Sequence, residues 1–221
     1  MNSTETPQII WEDDDLLVAD KPVGLLVDSG GRGDDLVAWA RASGFGSSFA
    51  FHRLDRETSG LVLMGKTRKL AREITALFEE KRIRKNYLAV VGGGAWPLTL
   101  NRIDEPIEDR TASTTFRRLA VSSMGGETLL DCLPKTGRTH QIRIHCAGAG
   151  HPILGDRRYG TPLDGVVGHA LHAYRLDFRH PSNGETVSLR SRPEGWKTTW
   201  LSGFDVDKIW EKLAVRQANL T

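Results

Sequence analysis

Phe51-His52-Arg53-Leu54-Asp55-Arg56-Glu57-Thr58-Ser59-Gly60 runs directly into Leu61-Val62-Leu63-Met64-Gly65, and the join between them decides how the chain is read. The first ten residues set one carboxylate between arginines and close on Thr-Ser-Gly turn chemistry. The next four are apolar and strand-like. The stretch is therefore a polar loop that delivers an acid to the start of a strand. Taken alone, Asp55 could equally cap the turn and pair with Arg53 or Arg56 in a purely structural role. The same letters also spell a P-loop, from Gly60 through Gly65-Lys66-Thr67. A phosphate cradle needs a buried strand before its first glycine and a small polar loop after it. Here the polar part comes first and the strand fills the loop, so its N–H groups go to neighbouring strands and nucleotide binding is set aside.

Outward from this join, residues 9–12 and 16–20 read as short strands around an acidic turn that ends at Lys21-Pro22. The Gly-rich segment 29–33 precedes a helix over 34–42 with Asp34 as N-cap. Residues 69–83 form the clearest helix, because Leu70, Ile74, Leu77 and Phe78 fall on one stripe. Residues 87–91 are a strand entering the turn Gly92-Gly93-Gly94. Beyond it, 114–119 and 127–133 have strand composition. Thr139 is placed to cap a helix running to residue 149, although the alternating isoleucines there also suit a strand. His172, Tyr174, Leu176 and Phe178 alternate along another strand, residues 180–184 turn, and 186–190 return as a hairpin. Residues 205–216 read as a terminal helix. Strands bunched with few helices between them predict one α+β domain with a mostly antiparallel sheet flanked by helices and loops.

The chain has 221 residues, 39% of them hydrophobic, enough to bury a core of its own and too polar for a membrane bundle. Two cysteines, Cys132 and Cys146, can build neither a disulfide scaffold nor a four-thiolate zinc site. The acidic start contrasts with a signal peptide, so the expected location is the cytoplasm. The net charge of +2 hides an uneven distribution. Residues 66–85 carry eight bases against three acids, and residues 135–158 five against one, which suggests a polyanion-binding face. The pairs His140/His145 and His169/His172 lack zincin spacing, and a polar hairpin turn explains Asp13–Asp15, so no metal is expected.

The loop around Asp55 resembles the His-Arg-Leu-Asp-x-x-Thr-Ser-Gly signature of the RluA-type pseudouridine synthases, and other blocks follow in register. Asp20-Lys21-Pro22-Val23-Gly24-Leu25 resembles the family's first motif, and Lys85-Asn86-Tyr87 its Lys-x-Tyr strand. Gly137-Arg138-Thr139-His140-Gln141-Ile142-Arg143 resembles its Gly-Arg-Thr-His-Gln-Ile-Arg block. Gly150 to Asp156, Tyr159-Gly160, Leu171-His172-Ala173 and His180-Pro181 come in the expected order, so the similarity covers roughly residues 9–195. It divides the chain into a tail (1–8), a catalytic domain (9–200) and a C-terminal helical extension (201–221). Two departures stand out: no small RNA-binding domain fits before Ile9, and the Gly-x-x-Ala turn is missing near 111–114.

The resemblance implies an enzyme that detaches uracil from ribose, turns the base and rejoins it through a ring carbon, with no cofactor, metal or nucleotide. Asp55 is then the catalytic carboxylate, Arg138 the guanidinium that keeps it ionised, and Tyr87 the aromatic that stacks on uracil and takes the proton lost at reattachment. Arg53 fills the space of the extruded base. His52, Lys85, His140 and Arg143 join Arg53 as substrate-binding residues, with Arg72, Lys81, Arg82 and Arg84 as further backbone contacts. The implied partner is a stem-loop of ribosomal or transfer RNA, bound by a monomer. The other class compatible with these residues is an RNA-binding or RNA-folding module without turnover, against which the intact Asp55, Tyr87 and Arg138 set speaks.

Overall fold

The computed structural model describes residues 6–193 and 195–215. In chain order its elements are β1 (Gln8–Glu12), β2 (Leu16–Lys21), α1 (Leu36–Ala42), β3 (Phe49–Ala50), β4 (Ser59–Gly65), α2 (Ala71–Glu79), β5 (Arg84–Val91), β6 (Arg102–Ile103), β7 (Thr114–Val121) and β8 (Thr128–Pro134). Then come α3 (Gln141–Gly148), β9 (Leu171–Arg179), β10 (Thr186–Arg190), α4 (Trp196–Thr199) and α5 (Val206–Val215). One sheet runs β1-β2-β4-β9-β5-β8-β7-β6, with β3 added to β4 and β10 to β9. Among the described residues every strand pair is antiparallel except β4 with β9. This is the expected α+β fold.

The parallel pair is short, Ser59 opposite His172 and Gly60 opposite Ala173. There Gly60 has φ +114, and a Cβ on it would stand 2.6 Å from the Ala173 nitrogen and closer still to its carbonyl oxygen. Only glycine lets the two backbones approach this far. Beyond the contact β9 pairs with β10 instead, so β4 needs other partners on that edge. Phe51 N–H donates to the Leu63 carbonyl, and Leu63 N–H donates to His52 Nε2 at 3.0 Å. The imidazole thus takes the place of a strand neighbour. On its opposite edge β4 spends residues 60–65 on β2, which is why the P-loop letters hold no phosphate cradle.

Helix α2 seals one core with Ile74 and Leu77 against Leu16, Val18, Leu61 and Leu63. The larger core takes α1, α3 and α5, and Ile209 and Leu213 of α5 join it. Several boundaries differ from the sequence reading, and three helix ends have a local cause. The cap of α1 is Asp35, not Asp34: Asp34 is exposed, while buried Asp35 accepts from Ala38 N–H at 2.7 Å and from Ser29. Helix α2 stops at Glu79 because Lys81 takes φ +58. Helix α3 begins at Gln141 rather than after Thr139, since His140 sits at φ +56 and turns the preceding loop out of helical geometry. Of the predicted terminal helix, residue 216 lies outside the described residues.

Candidate active site

The eight residues expected to be catalytic or substrate-binding, His52, Arg53, Asp55, Lys85, Tyr87, Arg138, His140 and Arg143, line one cleft of about 980 Å³. Asp55 reaches it from the loop before β4. Two buried histidines brace that loop: His169 Nε2 meets Thr58 Oγ1 and His172 Nδ1 meets Ser59 Oγ, each at 2.8 Å. Burial brings both imidazoles down to about 4, so they are neutral. From below, the fully buried Lys21 Nζ donates to the carbonyls of Pro22, Leu25 and Arg56, tying the first motif to the Asp55 loop. Burial lowers this ammonium to about 7 against the pull of Asp55 and Glu57.

The guanidinium beside Asp55 is Arg143, not Arg138. Arg143 Nη1 donates to Asp55 Oδ2 at 2.8 Å, while Nε and Nη2 grip Asp156 at 2.7 and 2.9 Å. Arg138 instead donates Nε to the Thr111 carbonyl at 3.0 Å, on the far wall of the cleft. The exchange follows from where α3 starts. Gln141 binds the loop back, its Oε1 accepting from Thr136 Oγ1 and Arg138 N–H and its Nε2 donating to Ser113 O. This leaves Arg143, one turn in, aimed at Asp55. The side chain of Arg143, expected to bind substrate, is only 8% exposed, and its Nε, Nη1 and Nη2 all donate to carboxylates within the protein.

Asp156 was missed in the sequence, although it is the lone acid in the basic stretch 135–158. Burial alone would raise its carboxyl, but the Arg143 fork and the N–H groups of Arg158 and Tyr159 hold it at about 2. Tyr159 was also missed. Its hydroxyl lies 3.0 Å from His140 Nδ1, and His140 Nε2 lies 3.7 Å from Asp55 Oδ1. Because burial keeps His140 below its ordinary value, the imidazole is neutral and the hydroxyl can fix its tautomer. A closed ring of contacts results: Asp55, Arg143, Asp156, Tyr159, His140 and back to Asp55.

Tyr87 sits where β9 bulges. Asn86 faces Arg175 and Leu88 faces His172, so two residues of β9 oppose this one, and the bulge aims the phenol into the cleft. Burial, and then the Asp55 carboxylate, push the phenol up. It therefore keeps its proton at neutral pH. Lys85 lies 5.2 Å from the Phe78 ring, and burial brings it down to about 8. His52, expected to bind substrate, is committed to β4 through Nε2, and burial keeps it neutral. Arg53 is exposed at the cleft rim, joined by Arg157 and Arg158, while Arg72, Lys81, Arg82 and Arg84 do not line the cleft.

A short parallel strand pair thus anchors the loop that delivers Asp55 to an arginine-lined cleft. The description "RNA pseudouridylate synthase" matches residues 15–148, and the chain belongs to that family. The RluA-type resemblance holds in its relatives. Ribosomal large subunit pseudouridine synthase C of Escherichia coli (strain K12) is 35% identical over 209 residues, 83% of this chain and 65% of that protein. The protein of the same name from Buchnera aphidicola subsp. Schizaphis graminum is 34% identical over 207 residues, 82% of this chain and 65% of its own. The chain thus spans about 65% of the length of these relatives. Among solved structures, human RNA pseudouridylate synthase domain containing 1 superposes with a TM-score of 0.71 at 26% identity, covering 87% of this chain and 85% of that one.

Proposed function

We propose that this protein is an RNA pseudouridine synthase whose Asp55 acts at the ribose of an extruded uridine, and that it works as a monomer in the cytoplasm. The observation that carries this is the Asp55–Arg143 pair at 2.8 Å, in a cleft that also holds a buried aromatic. The reaction breaks the bond from C1′ to the uracil nitrogen and forms one from C1′ to a ring carbon, moving one proton. It needs an ionised carboxylate at the anomeric centre and a site that retains the free base. Arg143 donates to one oxygen of Asp55, the other lies 3.7 Å from the neutral His140, and the Asp55 side chain stays 26% exposed. Tyr87 provides a flat face for uracil with a protonated hydroxyl at its end. Base extrusion costs a few kcal/mol, and the exposed Arg53 is placed to stack in the vacated space.

Ribosomal RNA is the target that the relatives' names favour, with a transfer RNA stem-loop as the other source of the same chemistry. No helix among the described residues is long and apolar enough to cross a membrane. Asp55→Asn tests the proposal: the swap keeps volume and removes charge, so pseudouridine formation should vanish while RNA affinity stays within about threefold. Turnover by this variant at a comparable rate would refute the role of Asp55. RNA binding by the native protein without any pseudouridine would instead favour the binding module.

A further inference from the structure

Strand β5 sends alternate side chains to opposite faces of the sheet. Lys85 and Tyr87 line the cleft, so Arg84 and Asn86 look out of the other side. The pairing registers carry this second face across five strands. Arg190 of β10 lies opposite Arg175 of β9, and Arg175 opposite Asn86 of β5. Arg84 lies opposite Asp177, and Arg117 of β7 opposite Asp131 of β8. Asn86, Arg117 and Tyr174 all donate to Asp131, which knits the rows together. From β10 to β7 this row spans roughly 19 Å at ordinary strand spacing, with Asn86 and Tyr174 buried and Trp210 of α5 packed edge-on against Tyr174.

The charges on this face do not balance. Four guanidiniums, those of Arg84, Arg117, Arg175 and Arg190, share it with two carboxylates. Asp177 is taken by Arg175 at 2.8 Å and Asp131 by Arg117 at 3.0 Å. Arg84 gives its Nε only to the Asn86 amide oxygen. The Arg190 guanidinium makes no hydrogen bond or ion pair with any described residue, and the buried Nε atoms of both Arg190 and Arg117 lack a partner among the described residues. Burial and the adjacent Arg175 hold the Arg190 guanidinium below its ordinary value, against the pull of Tyr174, Asp177 and Asp131. Two of the four guanidiniums, those of Arg84 and Arg190, thus carry charge that no carboxylate on this face pairs, which favours an anion with several acceptors.

We infer that the face of the sheet opposite the cleft is a second phosphate-binding surface, which holds RNA flanking the modified loop through Arg84, Arg117 and Arg190. The inference rests on the proposed RNA substrate. An acidic peptide fits less well, because a peptide interface needs an apolar anchor. The exposed large hydrophobic residues among those described are Leu98, Met124, Leu163 and Val167, none of them on these strands. Planar guanidinium forks spread over several strands match a line of phosphates, each of which would release counterions on contact.

The test compares two RNAs, an isolated substrate hairpin and the same hairpin with long single-stranded or helical flanks, across a potassium chloride series. For Arg84→Gln/Arg190→Gln in the full chain, the log–log salt slope on the flanked RNA should flatten by about 1–2 and affinity should fall by roughly tenfold. Binding and turnover of the isolated hairpin should stay within about twofold of wild type, since neither residue touches the cleft. Arg84→Glu alone, at an exposed position, guards against a folding defect and should weaken only the flanked RNA. Equal slopes for both RNAs with the native protein, or an unchanged slope in the variants, would overturn the second surface. Because the readout is binding, a protein that shows the slope difference but forms no pseudouridine would refute the proposed activity and leave this surface standing.

Discussion

Arg143→Lys keeps the charge next to Asp55 and removes the fork. In the native protein three nitrogens are committed, Nε and Nη2 to Asp156 at 2.7 and 2.9 Å and Nη1 to Asp55 at 2.8 Å. An ammonium is a single point and cannot span two carboxylates lying in these directions. Asp156 is fully buried, so the lysine should stay with it, because an unpaired buried charge is the more costly outcome. The bond lost is then the one to Asp55, a charge-assisted hydrogen bond worth about 1.5–3 kcal/mol. If that bond orients the carboxylate in the transition state, the rate falls by about 10–100-fold. The melting temperature should drop by roughly 3–12 °C, taking about 2–4 °C per kcal/mol for a chain of this size. Single-turnover release of the uracil C5 hydrogen from labelled RNA measures the rate. Arg138→Lys is the comparator: its guanidinium meets Thr111 rather than Asp55, so its rate should fall by less than about fivefold. An Arg138→Lys defect larger than that of Arg143→Lys, or an Arg143→Lys rate within about threefold of wild type, would refute the reasoning.

Three further outcomes follow from the same contacts. Asp156 is held at about 2 against an ordinary 3.8, so it contributes about 2 kcal/mol of stability above pH 4, lost as the pH falls toward 2. Denaturant melts of Asp156→Asn should be less stable than wild type at pH 7 by that order and converge with it near pH 2. Gly60→Ala puts a Cβ 2.6 Å from the Ala173 nitrogen at φ +114, and should cost at least about 3 kcal/mol or block folding, which thermal melts and soluble yield would show. Tyr159→Phe keeps the ring beside Arg143 and removes the hydroxyl at His140. Its kcat should fall about 3–10-fold with KM and melting temperature nearly unchanged, and an unaltered kcat would show that the His140 tautomer is irrelevant to Asp55.

Most of the elements and the family were legible along the chain because they rest on local rules. Period-2 alternation marks β9, the apolar stripe marks α2, and the loop from His52 to Gly60 carries its own turn chemistry. Neighbouring blocks in register even gathered eight residues that share one cleft. What the sequence could not rank was the geometry within that set. Whether Arg138 or Arg143 meets Asp55 depends on a positive φ at His140 and on where Gln141 ties the loop, and no spacing rule sees either. Asp156, Tyr159 and Lys21 stood in plain view as letters, but their roles arise from approaches across many residues, such as the 88-residue gap between Asp55 and Arg143. The back face was hidden for the same reason. Arg84, Arg117, Arg175 and Arg190 lie far apart in sequence, and only strand pairing, which is set by the tertiary fold, brings them onto one surface.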